Sequence, residues 1–308
     1  MASPVPAIAV VIVTYNSADL IDRCLDSLVA GCRGVKLVEV IISDNASSDQ
    51  TLARAGQHVD NIPLRILRLA HNAGYAAGIN AAVATLDPRV EAVLVLNPDI
   101  TVRPGAVRVL VDALREPSRG IAVPKLLNPD GSLQLSLRRL PTVTRAFVEA
   151  VIGGDRAARV GSLGERIANP RLYDRQGPAC WATGAAMLIS VDVWRDIGPW
   201  DESFLLYSEE TDFALRARDR GWQLWFEPAA VMEHIGGENV TTNPALFALL
   251  AVNRVRLFRQ RNGHLRGAAY HAAVALGEAI RAAAGRRTAR AAVVALVRPS
   301  RRLRALPE

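Results

Sequence analysis

Tyr207-Ser208-Glu209-Glu210-Thr211-Asp212 sets three carboxylates at the start of a helical stretch. A helix N-terminus favours negative side chains, so such a run can simply be a well-capped surface helix. The same field helps keep a carboxylate ionised, and an ionised carboxylate is what a general base must be. Asn97-Pro98-Asp99 follows the apolar run Val93 to Leu96. Read alone, the triplet is a common turn. A carboxylate at that place can also hold a hard divalent cation, which prefers oxygen ligands and can bridge to a diphosphate. His234 ends the run Val231 to His234, and a lone histidine is as a rule structural unless something else points at it.

Two further groups of small polar side chains stand at strand ends. The first is Val13-Thr14-Tyr15-Asn16-Ser17 and the second Ser43-Asp44-Asn45-Ala46-Ser47-Ser48-Asp49. Ser17, and Ser48 or Asp49, read as helix N-caps. Tyr15 and Asp44 are not needed for capping, and an aromatic with a carboxylate could hold a nucleobase edge and a ribose. No G-x-G-x-x-G follows the first strand and no G-x-x-x-x-G-K-[ST] occurs anywhere. A dinucleotide-binding dehydrogenase or a P-loop enzyme needs such a loop for close backbone approach to phosphates. The nearest glycine feature is Asn72-Ala73-Gly74-Tyr75-Ala76-Ala77-Gly78-Ile79-Asn80, whose small residues could equally let a helix pack closely on a sheet.

The elements that must position these residues alternate along the first half. Ala7 to Val13 is a continuous apolar, β-branched run, the pattern of a strand buried on both faces. Ser17 to Val29 has helical periodicity, Val35 to Ile42 is a second strand and Asp49 to Gln57 a second helix. Leu64 to Leu69, Ala76 to Thr85 and Ala92 to Leu96 continue as strand, helix and strand. Repeated strand, helix, strand with short connections predicts a parallel sheet with helices on both faces. Ligands of such sheets collect at the carboxyl ends of the strands, where the candidate groups fall. Beyond, Asn128-Pro129-Asp130-Gly131 is a turn and Leu133 to Leu137 a short strand. Residues 141 to 178, rich in Arg, Gly and Pro, read as an adaptable loop region. Order returns at Trp181 to Val191, in a helix from Glu209 to Arg220, and in strands at Trp222 to Phe226 and Val231 to His234. After Asn243-Pro244 the pattern is helical to the end.

Half of the 308 residues are apolar, which excludes a disordered or collagen-like chain and provides for a sizeable core. Three cysteines, Cys24, Cys32 and Cys180, show no metal-like clustering and are expected as reduced thiols of a cytoplasmic protein. No basic start followed by an apolar run and a small-residue cleavage site marks a secretory signal. The apolar runs Cys180 to Val191 and Gly267 to Gly277 fall short of the ~18 to 20 residues a membrane span needs. A soluble or peripherally attached protein is therefore expected. The net charge of +7 is uneven: residues 245–308 carry +11 and the rest −4. A mildly acidic body with a basic tail suggests that the tail meets an anionic surface.

Taken in order, these pieces resemble the family-2 glycosyltransferases of GT-A fold, over roughly residues 6–262. Val11 to Asn16 is similar to the family's opening strand, Ser43 to Thr51 to its base-binding loop, and Asn72-x-Gly74 to Asn80 to the helix that follows. Asn97-Pro98-Asp99 stands where the family has Asp-x-Asp, with Asn97 in place of the first Asp. Gly184-Ala185-Ala186-Met187, Trp200-Asp201-Glu202-x-Phe204, Glu209-Glu210-x-Asp212-Phe213 and Arg216-x-x-x-Arg220-Gly221-Trp222 resemble its acceptor-side motifs, and His234 its late metal ligand. The branch most resembled is rhamnosyltransferase-like and acts on lipid-linked cell-envelope glycans.

The resemblance implies an α/β fold of GT-A type, a Rossmann-like, mostly parallel sheet with helices on both faces and a basic helical C-terminal extension. It divides the chain into a catalytic domain over 1–243, with a nucleotide-sugar half (1–125) and an acceptor half (126–243), and a basic helical region over 244–308. Donor contacts are expected at Thr14, Tyr15, Asn16, Asp44, Asn45, Asn72, Gly74, Asn97 and Asp99, and acceptor contacts at Gly184, Ala185, Trp200, Asp201 and Glu202. Asp99 and His234 are expected to hold Mg2+ or Mn2+, and Glu210 to act as base, with Glu209 and Asp212 as alternatives. The implied donor is dTDP-rhamnose, with a UDP-sugar as runner-up, and the acceptor a glycan or polyprenyl-diphosphate-linked intermediate. A nucleotidyltransferase would normally carry a Gly-rich basic loop after the first strand, absent here, and a non-catalytic scaffold would have lost the carboxylates at 209, 210 and 212.

The tail is expected to dock on the inner face of the cell membrane. Phe247, Ala251, Val255 and Phe258 share one helical face with Arg256 opposite, a face that could instead pack on the catalytic body. Arg286, Arg287, Arg290, Arg298, Arg301, Arg302 and Arg304 flank the apolar Ala291 to Val297, which could lie in the interface. Nucleic acid is not an expected partner, since no recognition motif accompanies the charge.

Overall fold

The computed structural model describes residues 5–236 and 243–306. Its centre is a nine-stranded sheet in the order β3-β2-β1-β4-β10-β6-β11-β5, with β8 also paired to β11. The strands are β1 (Ala7–Thr14), β2 (Lys36–Asp44), β3 (Leu64–Arg68), β4 (Ala92–Leu96), β5 (Ile100–Val102), β6 (Arg119–Leu127), β8 (Gly177–Ala179), β10 (Ala186–Ser190) and β11 (Gln223–His234). A separate pair joins β7 (Leu137–Arg138) to β9 (Trp181–Ala182). β1, β2, β3, β4, β6 and β11 run one way and β5, β8 and β10 the other. The sheet is thus mostly parallel, as expected.

Both faces are covered, which explains why β1 is apolar throughout. Ile8, Val10 and Ile12 pack under Ile21, Leu25 and Leu28 of the helix α1 (Ala18–Gly31). Ala9, Val11 and Val13 turn to the other face, toward Ile79 and Ala82 of α3 (Tyr75–Val83) and Phe213 of α8 (Glu209–Asp219). With α2 (Thr51–Ala55), these elements form the alternating half read from the sequence. The helix α4 (Ala106–Ala113) and the strand β6 complete the core, although no sequence signal was assigned to either. Cys24 and Cys32 are buried, and desolvation pushes both thiols up to about 12, so they are inert.

Three readings of the sequence are corrected. Residues 141 to 178 are not loop throughout: they hold α5 (Val143–Ile152), α6 (Gly154–Arg159) and a 3₁₀ turn (Pro170–Asp174). Their inward residues are small, Ala146 and Ala150 with Ala157 and Ala158, while Phe147 and Val151 face outward, so no row of large apolar residues marks the buried face. The two late strands are one, β11, whose pairing to β6 breaks register between Glu227 and Val231. Leu133 to Leu137 contributes only Leu137 to β7, with one bridge from Leu133 to Leu127.

The C-terminal region comprises the remaining helices, α7 (Val191–Ile197) excepted: α9 (Pro244–Ala283) and α10 (Arg287–Val297). α9 is two arms folded back at Gly263, whose φ of 77° is natural only for glycine. Phe258 stacks on Tyr270 across that bend, with ring centroids 4.0 Å apart. Of the two alternatives for Leu246 to Phe258, packing prevails. Ala248, Leu249, Ala251, Leu257 and Phe258 are buried, and Arg256 reaches the Ser203 carbonyl at 2.7 Å instead of pointing away. Ala292, Ala295 and Leu296 of α10 are buried too, leaving Val294 and Val297 outward. No helix among the described residues is long and apolar enough to cross a membrane.

Candidate active site

The first strand and its neighbour end in two interlocked loops. Ser17 stands at the N-cap of α1 as expected, but its side chain makes no cap bond: its hydroxyl donates to the Tyr15 carbonyl, and Asp49, from the second loop, accepts from the Ala18 amide at 3.0 Å. Ser17 N donates to Thr51 Oγ1, and Asn16 exchanges bonds with Ser47 and Ser48. Asn16 and Ala46 both take left-handed backbone, held by this lattice. Asp44, expected on the nucleobase, is fully buried and accepts from Thr14 Oγ1, Ser47 N and Ser47 Oγ. Its carboxylate shapes the loop and offers no surface, because every hydrogen bond it needs comes from the protein. Asn45 likewise braces the next loop, accepting from Ala73 N and donating to the Gly74 carbonyl, while Asn72 accepts from Gly74 N. Of the first group, Tyr15 and Asn16 keep accessible surface at the strand end.

Asp99 and His234 do meet. β5 pairs antiparallel with β11 so that His234 lies opposite Ile100, the residue after Asp99. His234 Nε2 stands 3.3 Å from Asp99 Oδ1. Gly236 N donates to Asp99 Oδ2 at 2.9 Å, while the buried Oδ1 receives no aligned hydrogen bond from the described residues. Gln134 was not marked by the sequence. Its Oε1 sits 2.6 Å from His234 Nδ1 and its Nε2 donates to Asn128. That assigns the proton to Nδ1 and leaves the Nε2 lone pair facing Asp99, the arrangement that orients a ligating histidine. Burial acts to raise the Asp99 pKa, but a proton on His234 Nε2, present where no cation takes its place, and the Gly236 amide outweigh it, so Asp99 is held low. An orphaned carboxylate oxygen beside an oriented imidazole fits a divalent cation. Among the described residues no group of three or more His, Cys, Asp or Glu could hold one, so water or a diphosphate would complete the shell.

On the opposite side α8 starts at Glu209, after three residues with left-handed backbone, Leu205, Tyr207 and Ser208. Glu209 is 2% exposed, and its Oε2 has no hydrogen-bond partner among the described residues. Glu210 is less covered and lies against Gly184, where the absence of a side chain leaves it room. Burial raises both acids, and in Glu209 the charge of Glu210 adds to it, lifting Glu209 well above the usual range. Of the two, the more deeply buried Glu209 holds its proton the more firmly. Asp212 is already bound to Arg216, Nε to Oδ2 at 2.7 Å.

Tyr75 joins the two halves and was not among the expected site residues. It donates to the Gly184 carbonyl at 2.9 Å. Burial, then the charges of Glu209, Glu210 and Asp99, push its phenol well above its ordinary value. Its only sequence signal was its place in the Asn72 to Asn80 stretch. The acceptor-side expectations divide. Gly184 lies at Glu210, but Ala185 is buried and accepts from Asn97 N. Trp200 is 1% exposed, stacked on Phe213 and Trp194, and so supports the site from beneath without facing it. Asp201 turns back to its own Ser203 amide, and Glu202 accepts from Asn80 at the rim.

Comparison with known proteins identifies the family and the fold. The sequence profile of glycosyl transferase family 2 matches residues 9–187. The chain is 30% identical, over 77% of its length and 78% of the relative's, to an N-acetylglucosaminyl-diphospho-decaprenol L-rhamnosyltransferase of Mycobacterium tuberculosis. It is 30% identical over 68% of its length to a low-salt glycan biosynthesis hexosyltransferase of Haloferax volcanii, covering 61% of that protein. In structure it is similar to a Pyrobaculum calidifontis mannosyltransferase in complex with GDP-Man and Mn2+, with a TM-score of 0.59, 19% identity and coverage of 97% and 83%. The fold is that of the GT-A glycosyltransferases. A profile that ends on β10 reaches Asp99 but not Glu210 or His234, and the likeness to the mycobacterial relative runs over a longer stretch, 246 residues; the chain belongs to glycosyl transferase family 2 and is a glycosyltransferase.

Proposed function

We propose that this enzyme transfers L-rhamnose from dTDP-rhamnose to a hydroxyl of a lipid-linked cell-wall glycan, with inversion. The observation that carries the mechanism is that Gly184 lies against both Glu210 and Tyr75 while the next residue, Ala185, accepts from Asn97 N two residues from Asp99, which brings the base and the cation ligand to adjoining strand ends. Glu210 takes the proton from the acceptor hydroxyl. The oxygen attacks the anomeric carbon from the face opposite the nucleotide, the bond from that carbon to the diphosphate breaks, and its electron pair leaves with the nucleoside diphosphate. One displacement with one base inverts the centre. Asp99 and His234 would hold a divalent cation, which when bound supplies charge neutralisation for the leaving diphosphate. Tyr15 and Asn16 face the nucleoside, and Gly184 leaves Glu210 room beside the acceptor. Base catalysis of this type contributes ~10² to 10⁴-fold.

The rhamnosyl donor and lipid-linked acceptor are supported by the likeness to the mycobacterial N-acetylglucosaminyl-diphospho-decaprenol L-rhamnosyltransferase. The basic C-terminus supports attachment to the inner face of the cell membrane, next to such an acceptor. The test is a panel of dTDP- and UDP-sugars, read by melting shift and by transfer to a synthetic polyprenyl-diphosphate N-acetylglucosamine, with and without Mn2+. dTDP-rhamnose should give the largest metal-dependent shift and the product. Selection of a UDP-sugar would replace the donor assignment, and transfer indifferent to metal would overturn the cation's part.

A further inference from the structure

We propose that Asn253, on the first arm of α9, is a positioning residue that sets the loop carrying the base. The inference rests on the reading of Glu210 as that base. Asn253 is 3% exposed, and a buried amide must find partners. It finds them in one place: Nδ2 donates to the carbonyls of Phe204, Leu206 and Tyr207 at 2.7, 2.9 and 3.2 Å. Three carbonyls converge on one donor group only if the chain between them is sharply folded. Here it is, since Leu205, Tyr207 and Ser208 have φ of 62°, 68° and 79°. Residues with side chains avoid that region, and a run of them persists only when the surroundings over-determine it.

The fourth carbonyl of the loop, that of Leu205, turns the other way and accepts from Tyr75 N at 2.9 Å. Gly74 abuts the same carbonyl so closely that a side chain there would collide with it. Arg256, one turn from Asn253, binds Ser203 through its carbonyl and hydroxyl. The loop is therefore clamped between the start of α3 and the C-terminal helix, and its last residue, Ser208, accepts from Asp212 N to open α8. Glu209 and Glu210 follow directly. The C-terminal helix, outside the matched family profile, thus sets the angle at which α8 presents the base.

The test compares Asn253→Ala, Asn253→Ser and Glu210→Gln in the full-length enzyme, with dTDP-rhamnose and the synthetic prenyl-diphosphate acceptor. Displacement of a reacting group by about 1 Å can cost ~10²-fold, so kcat of Asn253→Ala should fall by about that factor. KM for the donor should stay within about threefold, because the nucleotide loops do not touch this residue. Asn253→Ser keeps one donor and should recover part of kcat. Amide hydrogen exchange should quicken in residues 204–210 and not in β1 or β4, which needs no substrate. A purely structural role would lower the melting temperature and leave kcat unchanged well below it. Should Asn253→Ala not fold, Asn253→Ser carries the same comparison. Wild-type kcat or unchanged exchange in the folded variant, with Glu210→Gln inactive, overturns the proposal; an active Glu210→Gln instead overturns the assignment of the base.

Discussion

A Cβ on Gly184 would stand 3.1 Å from the Cβ of Glu210 and 3.7 Å from Tyr75 Cε1. The first contact is closer than such carbons normally approach, so a side chain at 184 must push α8 or the Glu210 side chain aside. Gly184→Ala should lower kcat by ~10-fold with little change in donor affinity, and Gly184→Val should lower it further. Steady-state kinetics with separate kcat and KM check this; a fall confined to donor KM would move Gly184 to the nucleotide side.

Glu210→Gln should abolish transfer, a loss of at least ~10²-fold, while donor affinity stays within a few-fold. The amide has the size of the acid but cannot take the proton. Asp212→Asn should leave turnover largely intact, because Asp212 serves Arg216. If Glu209→Gln is the inactive variant and Glu210→Gln turns over normally, the two carboxylates exchange roles.

Glu209→Gln should raise the melting temperature at neutral pH and leave it unchanged below about pH 4. The sign follows from the raised native pKa of Glu209, caused first by burial and then by Glu210. Below the unfolded-state pKa the acid is protonated in both states and costs nothing. As pH rises past that value the unfolded chain releases its proton more readily than the native one, and stability falls until the native pKa is passed. Gln carries no such proton. Thermal melts of both proteins across pH decide it, and parallel curves would show that Glu209 is ionised at no cost.

The donor half was legible because its physics is local. A continuous apolar run such as Ala7 to Val13 admits one reading in an alternating chain, and strand ends then locate Tyr15 and Asp99. The metal-side pair was marked only as separate residues; their contact depends on the pairing of β5 with β11, which no local pattern encodes. Asp44 and Trp200 were read as ligand contacts since type and motif do not reveal burial, and both turned out to be covered. Gln134, Tyr75 and Asn253 act through long-range geometry, with partners 100, 109 and 46 to 49 residues away. The helices within 141 to 178 hid because alanines, not large apolar residues, face inward.

Asp99→Ala and His234→Ala should each lose metal-dependent donor binding with the fold intact. Gln134→Leu should weaken metal dependence by ~10- to 100-fold, as removal of a group orienting a metal ligand typically does. Titration of dTDP-rhamnose by calorimetry with Mn2+ and with chelator measures all three. Equal donor affinity with and without metal in wild type would remove the cation from the site.

The last prediction concerns the basic end of the chain. Packing of α10 through Ala289, Ala292, Ala295 and Leu296 uses much of the apolar surface that could have entered a bilayer. What remains outward is Val294 and Val297 on α10 with Leu265, Leu276 and Ile280 on α9, each 42% exposed or more. Arg286, Arg287, Arg290, Arg298, Arg301 and Arg304 have no ion pair among the described residues, whereas Arg302 is spent on the carbonyls of Ala295 and Leu296. The surface is therefore more electrostatic than apolar. Each basic residue near an anionic headgroup layer adds ~1 kcal/mol, and salt screens that attraction within a Debye length of about 8 Å at physiological strength. Full-length protein should float with anionic vesicles and not with neutral ones, and raising the salt should release it. Changing the six unpaired arginines to Gln is a cleaner test than truncation, because it keeps the buried alanine face of α10 in place. That variant should stay in solution with an unchanged melting temperature. Flotation by the variant as strong as by wild type, or indifference of wild type to anionic vesicles at low salt, would rule the docking out.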